Sequence, residues 1–178
     1  VMMDYHWTNV AKYYVDEEPI RVVKTILSSV EMESGIPLQD DERGTLLWEA
    51  TKRLPMEAWK VIGDALLRRD TTSLRLNFWL RGWFVDKLET NLLMEWASEH
   101  EPIGPQILAE LASVNNIPLS PLARGLLMKY GDLEGIGSVL SASYLSGSFS
   151  GSWSNWLEAK LAQARAWTKD PEPRIRAV

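Results

Sequence analysis

The chain has no cysteine among its 178 residues. Disulfide bonds, thiolate nucleophiles and cysteine-ligated metal centres are therefore excluded. A chain without cysteine is typical of a reducing compartment. Histidine is also scarce, since only His6 and His100 are present. The sequence therefore offers little for histidine-based acid–base chemistry or metal binding.

Long apolar runs are missing as well. No stretch approaches the roughly 20 apolar residues that a membrane-spanning helix needs. The beginning of the chain does not resemble a secretory signal, because Asp4, His6 and Lys12 interrupt it. We therefore expect a cytoplasmic protein with no membrane partner.

Basic residues are fewer than acidic residues. The chain has 19 Lys and Arg against 24 Asp and Glu, a formal net charge of -5. A nucleic-acid surface needs basic residues to neutralise phosphates, so a nucleic-acid partner is not expected. The hydrophobic fraction of 46% and the charged fraction of 24% are ordinary for a folded protein. Length predicts a single domain over residues 1–178, and the terminal residues predict an excerpt of a longer chain.

Strand signals are nearly absent, whereas helix signals recur along the whole chain. Pro19, Pro55 and Pro121 each precede an apolar-periodic run, and proline suits the first helical position. Asp70 and Ser120 are placed to cap the helices that follow them. The sequence predicts about ten short helices and an all-α fold. The first run ends at Gly35, the fourth helix spans Leu74 to Phe84, the sixth begins at about Pro105 and the eighth at about Leu133. The ninth of them, residues 154–168, carries apolar residues at helical spacing: Leu157, Leu161, Ala164 and Trp167.

A cap followed by an arginine occurs three times, at nearly constant spacing. The arginines are 49 and 50 residues apart, because their positions are 75, 124 and 174. The capping residues and their arginines are Asp70 with Arg75, Ser120 with Arg124, and Asp170 with Arg174. Short helix pairs that cannot bury their own apolar faces must stack on neighbours. The spacing therefore favours an α-solenoid over a bundle.

Residues 170–177, with the sequence DPEPRIRA, resemble the start of the second helix of a HEAT repeat. The resemblance implies an α-α superhelix of HEAT-like helical repeats. It also implies that Asp170 caps a helix beginning at Pro171 and that Ile175 points into the stack. Arg174 or Arg176 would then reach carbonyls or carboxylates of the preceding repeat. The predicted repeat-stacking residues are Arg75, Arg124, Asp170, Arg174 and Arg176.

A second resemblance is carried by residues 80–84 (LRGWF), residues 94–97 (MEWA) and the Gly/Ser/Trp stretch before Asp170. These segments are similar to helical tails of large multidomain bacterial proteins, some of which carry an NTPase module. The resemblance implies that the chain is a sensor or scaffold arm and that any chemistry lies in another part of the protein.

Nine tryptophans are several times the usual number for a chain of this length. Most lie at helical core spacing, where a tryptophan buries a large area between stacked helices. Trp153 and Trp156 differ, because they follow residues 146–152, which are all Ser and Gly apart from Phe149. The sequence predicts Phe149, Trp153 and Trp156 as partner-contact residues. The alternative is that they fold back as a lid over the last helix pair.

Two segments partly match catalytic or cofactor-binding motifs, and neither has the residues that the motif requires. Gly135 and Gly137 hint at a dinucleotide fingerprint, but Leu140 occupies the third glycine position and no strand precedes them. A glycine-flanked segment at 147–151 has Phe149 where a nucleophilic serine would stand. We therefore predict no catalytic, cofactor-binding or metal-binding residues, and no cofactor.

The sequence predicts a non-catalytic helical repeat module for protein–protein interaction or scaffolding. Its partner would be another protein or a neighbouring domain of the same chain. The alternative function is a nucleic-acid-binding or base-excision enzyme on a HEAT-like scaffold, which the tryptophans would suit and the acidic charge would not.

Overall fold

The structure is a computed structural model that describes residues 13–31, 40–80, 84–112, 119–145 and 152–177. Every regular element in these ranges is helical, and the ranges contain no strand. The prediction of an all-α fold is confirmed. None of the described helices combines the length and the apolar composition that crossing a bilayer requires.

The described helices are short and follow one another closely. Helix α1 is described over residues 13–17, and a 3-10 helix, Val85–Lys87, lies between α5 and α6. The remaining helices are α2 (Pro19–Glu31), α3 (Asp40–Arg53), α4 (Pro55–Leu67), α5 (Thr71–Leu80), α6 (Thr90–Glu99), α7 (Ile103–Leu111), α8 (Pro121–Tyr130), α9 (Ile136–Leu145), α10 (Trp153–Trp167) and α11 (Pro173–Arg176).

Proline and capping side chains begin helices where the sequence predicts. Helices α2, α4 and α8 start at Pro19, Pro55 and Pro121, because the missing proline N–H has no partner in the first turn anyway. The Ser120 hydroxyl accepts a hydrogen bond from the Ala123 N–H at 3.2 Å. Asp70 Oδ1 accepts one from the Ser73 N–H at 3.0 Å. Each cap satisfies a backbone donor that the helix itself leaves unpaired.

Several helix limits differ from the sequence prediction. Helix α5 begins at Thr71, three residues before the predicted Leu74. It is described as far as Leu80, and Phe84, its predicted end, is buried in a turn. Helix α7 begins at Ile103, two residues before the expected Pro105. Helix α9 begins at Ile136 instead of Leu133, because Gly135 has a φ of 92°, which a right-handed helix cannot contain. The predicted end of α2 at Gly35 lies outside the described residues.

The chain divides into two compact units, Val1–Leu80 and Arg81–Val178. In the first unit, α2 packs against α3, α4 and α5, and these three also pack against one another. Its core contains Trp59 of α4, which is 1% exposed, and the fully buried side chains of Leu47, Ile62 and Leu76. That residues 1–178 form a single domain stays a prediction.

In the second unit, α7 and α8 are the central helices. Helix α6 packs against both of them, α9 packs against both of them, and α11 packs against α8. The largest fully buried side chains of the unit are Phe84, Leu93, Ile107, Leu108, Leu111, Leu122 and Leu126. Helix α10 contributes little to this core, since Gln163 and Trp167 are its only buried residues.

Candidate functional site

Arg124 and Asp170 join α8 to the segment that precedes α11. The guanidinium of Arg124 donates to both carboxylate oxygens of Asp170, with Nη1–Oδ2 at 2.7 Å and Nη2–Oδ1 at 3.2 Å. This hydrogen bond, and then the Glu172 N–H that donates to Oδ1 at 2.9 Å, lowers the pKa of Asp170 below its ordinary value. Asp170 is therefore held as a carboxylate between α8 and α11.

Two arginines of α11 also bind backbone or carboxylate oxygens. Arg174 donates to the carbonyl of Met128 and to the carboxylate of Asp132. Arg176 Nη1 donates to the Asp170 and Pro171 carbonyls at 2.7 and 2.8 Å. A four-residue helix has no stability of its own, so these contacts and the burial of Ile175 hold α11 in place.

The start of α11 differs from the prediction by two residues. Glu172 occupies the N-cap position and accepts a hydrogen bond from the Arg174 N–H at 3.3 Å, and Pro173 is the first helical residue. The prediction that Asp170 caps a helix beginning at Pro171 is wrong. The reason is local, because both prolines suit a helix start, while Asp170 is engaged by Arg124 and by the Glu172 N–H.

The structure brings the predicted stacking residues of the second unit together at the α8–α11 contact. These residues are Arg124, Asp170, Arg174 and Arg176. Arg75 lies exposed on α5 and belongs to the first unit. The role of all five in stacking successive repeats stays a prediction.

Trp153 and Trp156 form a stacked pair in the first turn of α10. Their ring centroids are 4.7 Å apart and their planes differ by 24°. Trp153 is 59% exposed, while Trp156 is half-buried. Lys160 Nζ lies 5.8 Å from the Trp156 ring centroid, and burial lowers the pKa of this lysine. The predicted third contact residue, Phe149, lies outside the described residues.

Two leucines extend this aromatic pair along α10. Leu157 is 41% exposed and Leu161 is 47% exposed, although the sequence pattern groups them with Trp167, which is buried. At about 100° per residue, Trp167 and Gln163 lie roughly a quarter turn or more around the helix from the two leucines. The α10 stripe, as we call Trp153, Leu157 and Leu161, is therefore an exposed apolar row with a spacing of four residues.

Other large apolar side chains that are exposed in the described ranges lie singly or in pairs along the sequence. They are Tyr13, Tyr14, Leu54, Met56, Leu74, Ile103 and Met128. Scattered apolar residues are normal on protein surfaces, whereas a contiguous apolar row is typical of an interaction site.

His100 serves the end of helix α6. Its Nδ1 lies 2.8 Å from the Trp96 carbonyl oxygen, and its ring lies 5.0 Å from the Trp96 ring. Both contacts are within one helical turn, so the side chain closes the C-terminus of its own helix. In the described part of the chain, no three His, Asp or Glu side chains are grouped as metal ligands would be.

Comparison of the chain with protein-family models, with curated proteins and with solved structures gives no match. The resemblance to HEAT repeats therefore continues to depend on the residues of this chain alone.

Proposed function

We propose that this chain is a non-catalytic helical repeat module that binds a protein partner or acts as a scaffold. The α10 stripe is the proposed contact surface. The observation that carries the proposal is the exposure of Trp153, Leu157 and Leu161 in one row on a helix that buries only two residues.

The composition of the stripe fits a binding surface. Tryptophan is the residue type most enriched among those that dominate binding energies, and leucines beside it add apolar area. The ring of Trp153 is already stacked on Trp156, so binding would immobilise it at a smaller entropic cost. Trp153 is exposed, as the partner-contact alternative requires, whereas a lid over the last helix pair would bury it.

The helix contacts of the second unit support a HEAT-like arrangement. There α6 packs on its two successors in the chain, α7 and α8, and α7 packs on α8 and α9. Contacts with the next helix and the next but one are what stacked helix pairs produce. Contacts with the third helix further on occur in both units, α2 with α5 in the first and α8 with α11 in the second, and helices of a small bundle also make such contacts.

Nucleic-acid binding and base excision gain no specific support from these features. The stripe is apolar, and the formal net charge of -5 opposes a phosphate backbone.

Affinity capture tests the proposed function. The immobilised chain is exposed to a lysate of its source cells, in parallel with Leu157→Glu/Leu161→Glu, and bound proteins are quantified by mass spectrometry. Since glutamate in the stripe would be desolvated on binding, we expect the variant to retain its true partner at least about tenfold less. Leu74→Glu, at a leucine that is 70% exposed on α5, is the matched control and should capture as the wild type does. Equal capture by all three proteins would exclude the stripe as the contact surface.

A further inference from the structure

We propose that α10 of a second copy of this chain, packed antiparallel, covers the α10 stripe. This inference rests on the proposed function, because it identifies the partner of the same surface. It is carried by the charges that border the stripe.

Glu158 and Arg165 are exposed on α10 and lie along one edge of the stripe. They are seven positions apart in the sequence, so their directions around the helix axis differ by only about 20°. They are about 10.5 Å apart along the helix axis, so they cannot pair with each other. Within the described ranges neither side chain forms an ion pair. The edge therefore carries one negative and one positive charge, both available to a partner.

An antiparallel second helix complements this edge, whereas a parallel one does not. If the twofold axis passes between positions 161 and 162, Glu158 of each copy faces Arg165 of the other. The same register brings the two Leu161 side chains together near the axis, with Ala164 of the second copy about 3 Å along the helix axis from Leu157. In a parallel pair the two charged edges would lie on opposite sides of the contact, so neither Glu158 nor Arg165 would meet the opposite charge of the other copy. The charge order along α10 therefore favours an antiparallel copy of itself.

The buried side of α10 leaves room for this contact. Gln163 and Trp167 lie beyond the opposite edge of the stripe from Glu158 and Arg165. A second helix can therefore dock on the stripe without displacing the side chains that attach α10 to its own unit. In this register Trp153 faces position 170, just beyond the end of the second α10, and Leu157 and Leu161 form the apolar centre of the contact. Such an interface is smaller than a stable dimer usually has, so we expect self-association in the micromolar range.

Exchanging the two charges tests the arrangement. The purified chain is examined by sedimentation equilibrium from low to high micromolar concentration. Glu158→Arg places Arg against Arg165 of the other copy at both sites, and Arg165→Glu places Glu against Glu158. Each single variant should associate about 30-fold more weakly, because two attractive pairs become repulsive. An equimolar mixture of the two variants should regain the wild-type affinity, since every facing pair is then again of opposite sign.

Circular dichroism of each variant checks that α10 still folds, and Leu157→Glu/Leu161→Glu should abolish association. A wild-type chain that stays monomeric throughout would overturn the inference, as would a mixture that associates no better than its components. Association that survives substitution of the two leucines would also overturn it. If the chain stays monomeric while capture from lysate still depends on the leucines, the partner is another protein and the proposed function stands. If neither self-association nor capture from lysate depends on the two leucines, both proposals fail.

Discussion

Replacing two isoleucines one turn apart on α7 tests the packing of the second unit. Ile107 is 1% exposed and faces the core, while Ile103 is 41% exposed at the start of the same helix. Changing each to alanine removes the same three carbon atoms and gives about the same small gain in helix propensity. The two variants therefore differ in the burial of the atoms removed.

The structure sets the expected magnitudes. At about 0.8 kcal/mol per buried carbon, removing three from Ile107 costs about 2.4 kcal/mol. A closed cavity between α7 and its neighbours adds to this, for a total of about 3–4 kcal/mol. Ile103 is buried only to about three fifths, and solvent can fill the space it leaves. Its replacement should cost about 1–1.5 kcal/mol.

Urea denaturation followed by far-UV circular dichroism measures both free energies of unfolding. We expect Ile107→Ala to be less stable than Ile103→Ala by about 2 kcal/mol, with the loss confined to the transition that unfolds residues 81–178. If the two variants agree within about 0.5 kcal/mol, the assignment of Ile107 to the core is refuted.

Three further substitutions address the α8–α11 contact and two glycines. Asp170→Asn should lower the melting temperature at neutral pH, because Arg124 loses its carboxylate partner. The pKa of Asp170 is lower in the folded state than in the unfolded state. The carboxylate therefore stabilises the fold fully above about pH 3.9, and this stabilisation is lost as the pH falls through the folded-state pKa. At that acid pH the melting temperatures of wild type and variant should converge. Gly104→Ala should cost about 1–3 kcal/mol, since its Cβ would lie 3.0 Å from the Ala97 Cα and carbonyl oxygen. Gly137→Ala in α9 meets nothing within 4 Å and should stabilise by about 0.5–1 kcal/mol.

The measurements are thermal melts at neutral and acid pH for Asp170 and urea titrations for the glycines. A difference between Asp170→Asn and the wild type that does not shrink in acid would contradict the role of its carboxylate. Gly104→Ala as stable as Gly137→Ala would contradict the close approach of α7 to α6.

The sequence predicted the interior of helices better than their ends. The buried face of α4, including Ala58, Trp59 and Ile62, follows from apolar spacing alone, and its start follows from Pro55. The start of α9 was wrong because the backbone of Gly135 adopts a left-handed conformation, to which glycine is suited but which it does not dictate. The start of α11 was wrong because two prolines offered equivalent positions and a distant arginine engaged the first candidate cap.

The candidate site, like the helices, was predicted only in part from the sequence. The sequence identified Trp153 and Trp156 as unusual from the Ser/Gly stretch before them, but it grouped Leu157 and Leu161 with the packing residue Trp167. Helical spacing tells which residues share a face, and it does not tell whether another helix covers that face.

The sequence by itself determined the all-α class, the starts of α2, α4 and α8 at prolines, and the acidic, cysteine-free composition. These follow from the conformational limits of single residues and from apolar periodicity, which act within a few positions of the chain. The tertiary structure alone decided that Arg124 meets Asp170, 46 positions further on, and that α10 leaves Leu157 and Leu161 exposed. Contacts between distant residues depend on how helices pack against one another, and no local rule specifies that packing.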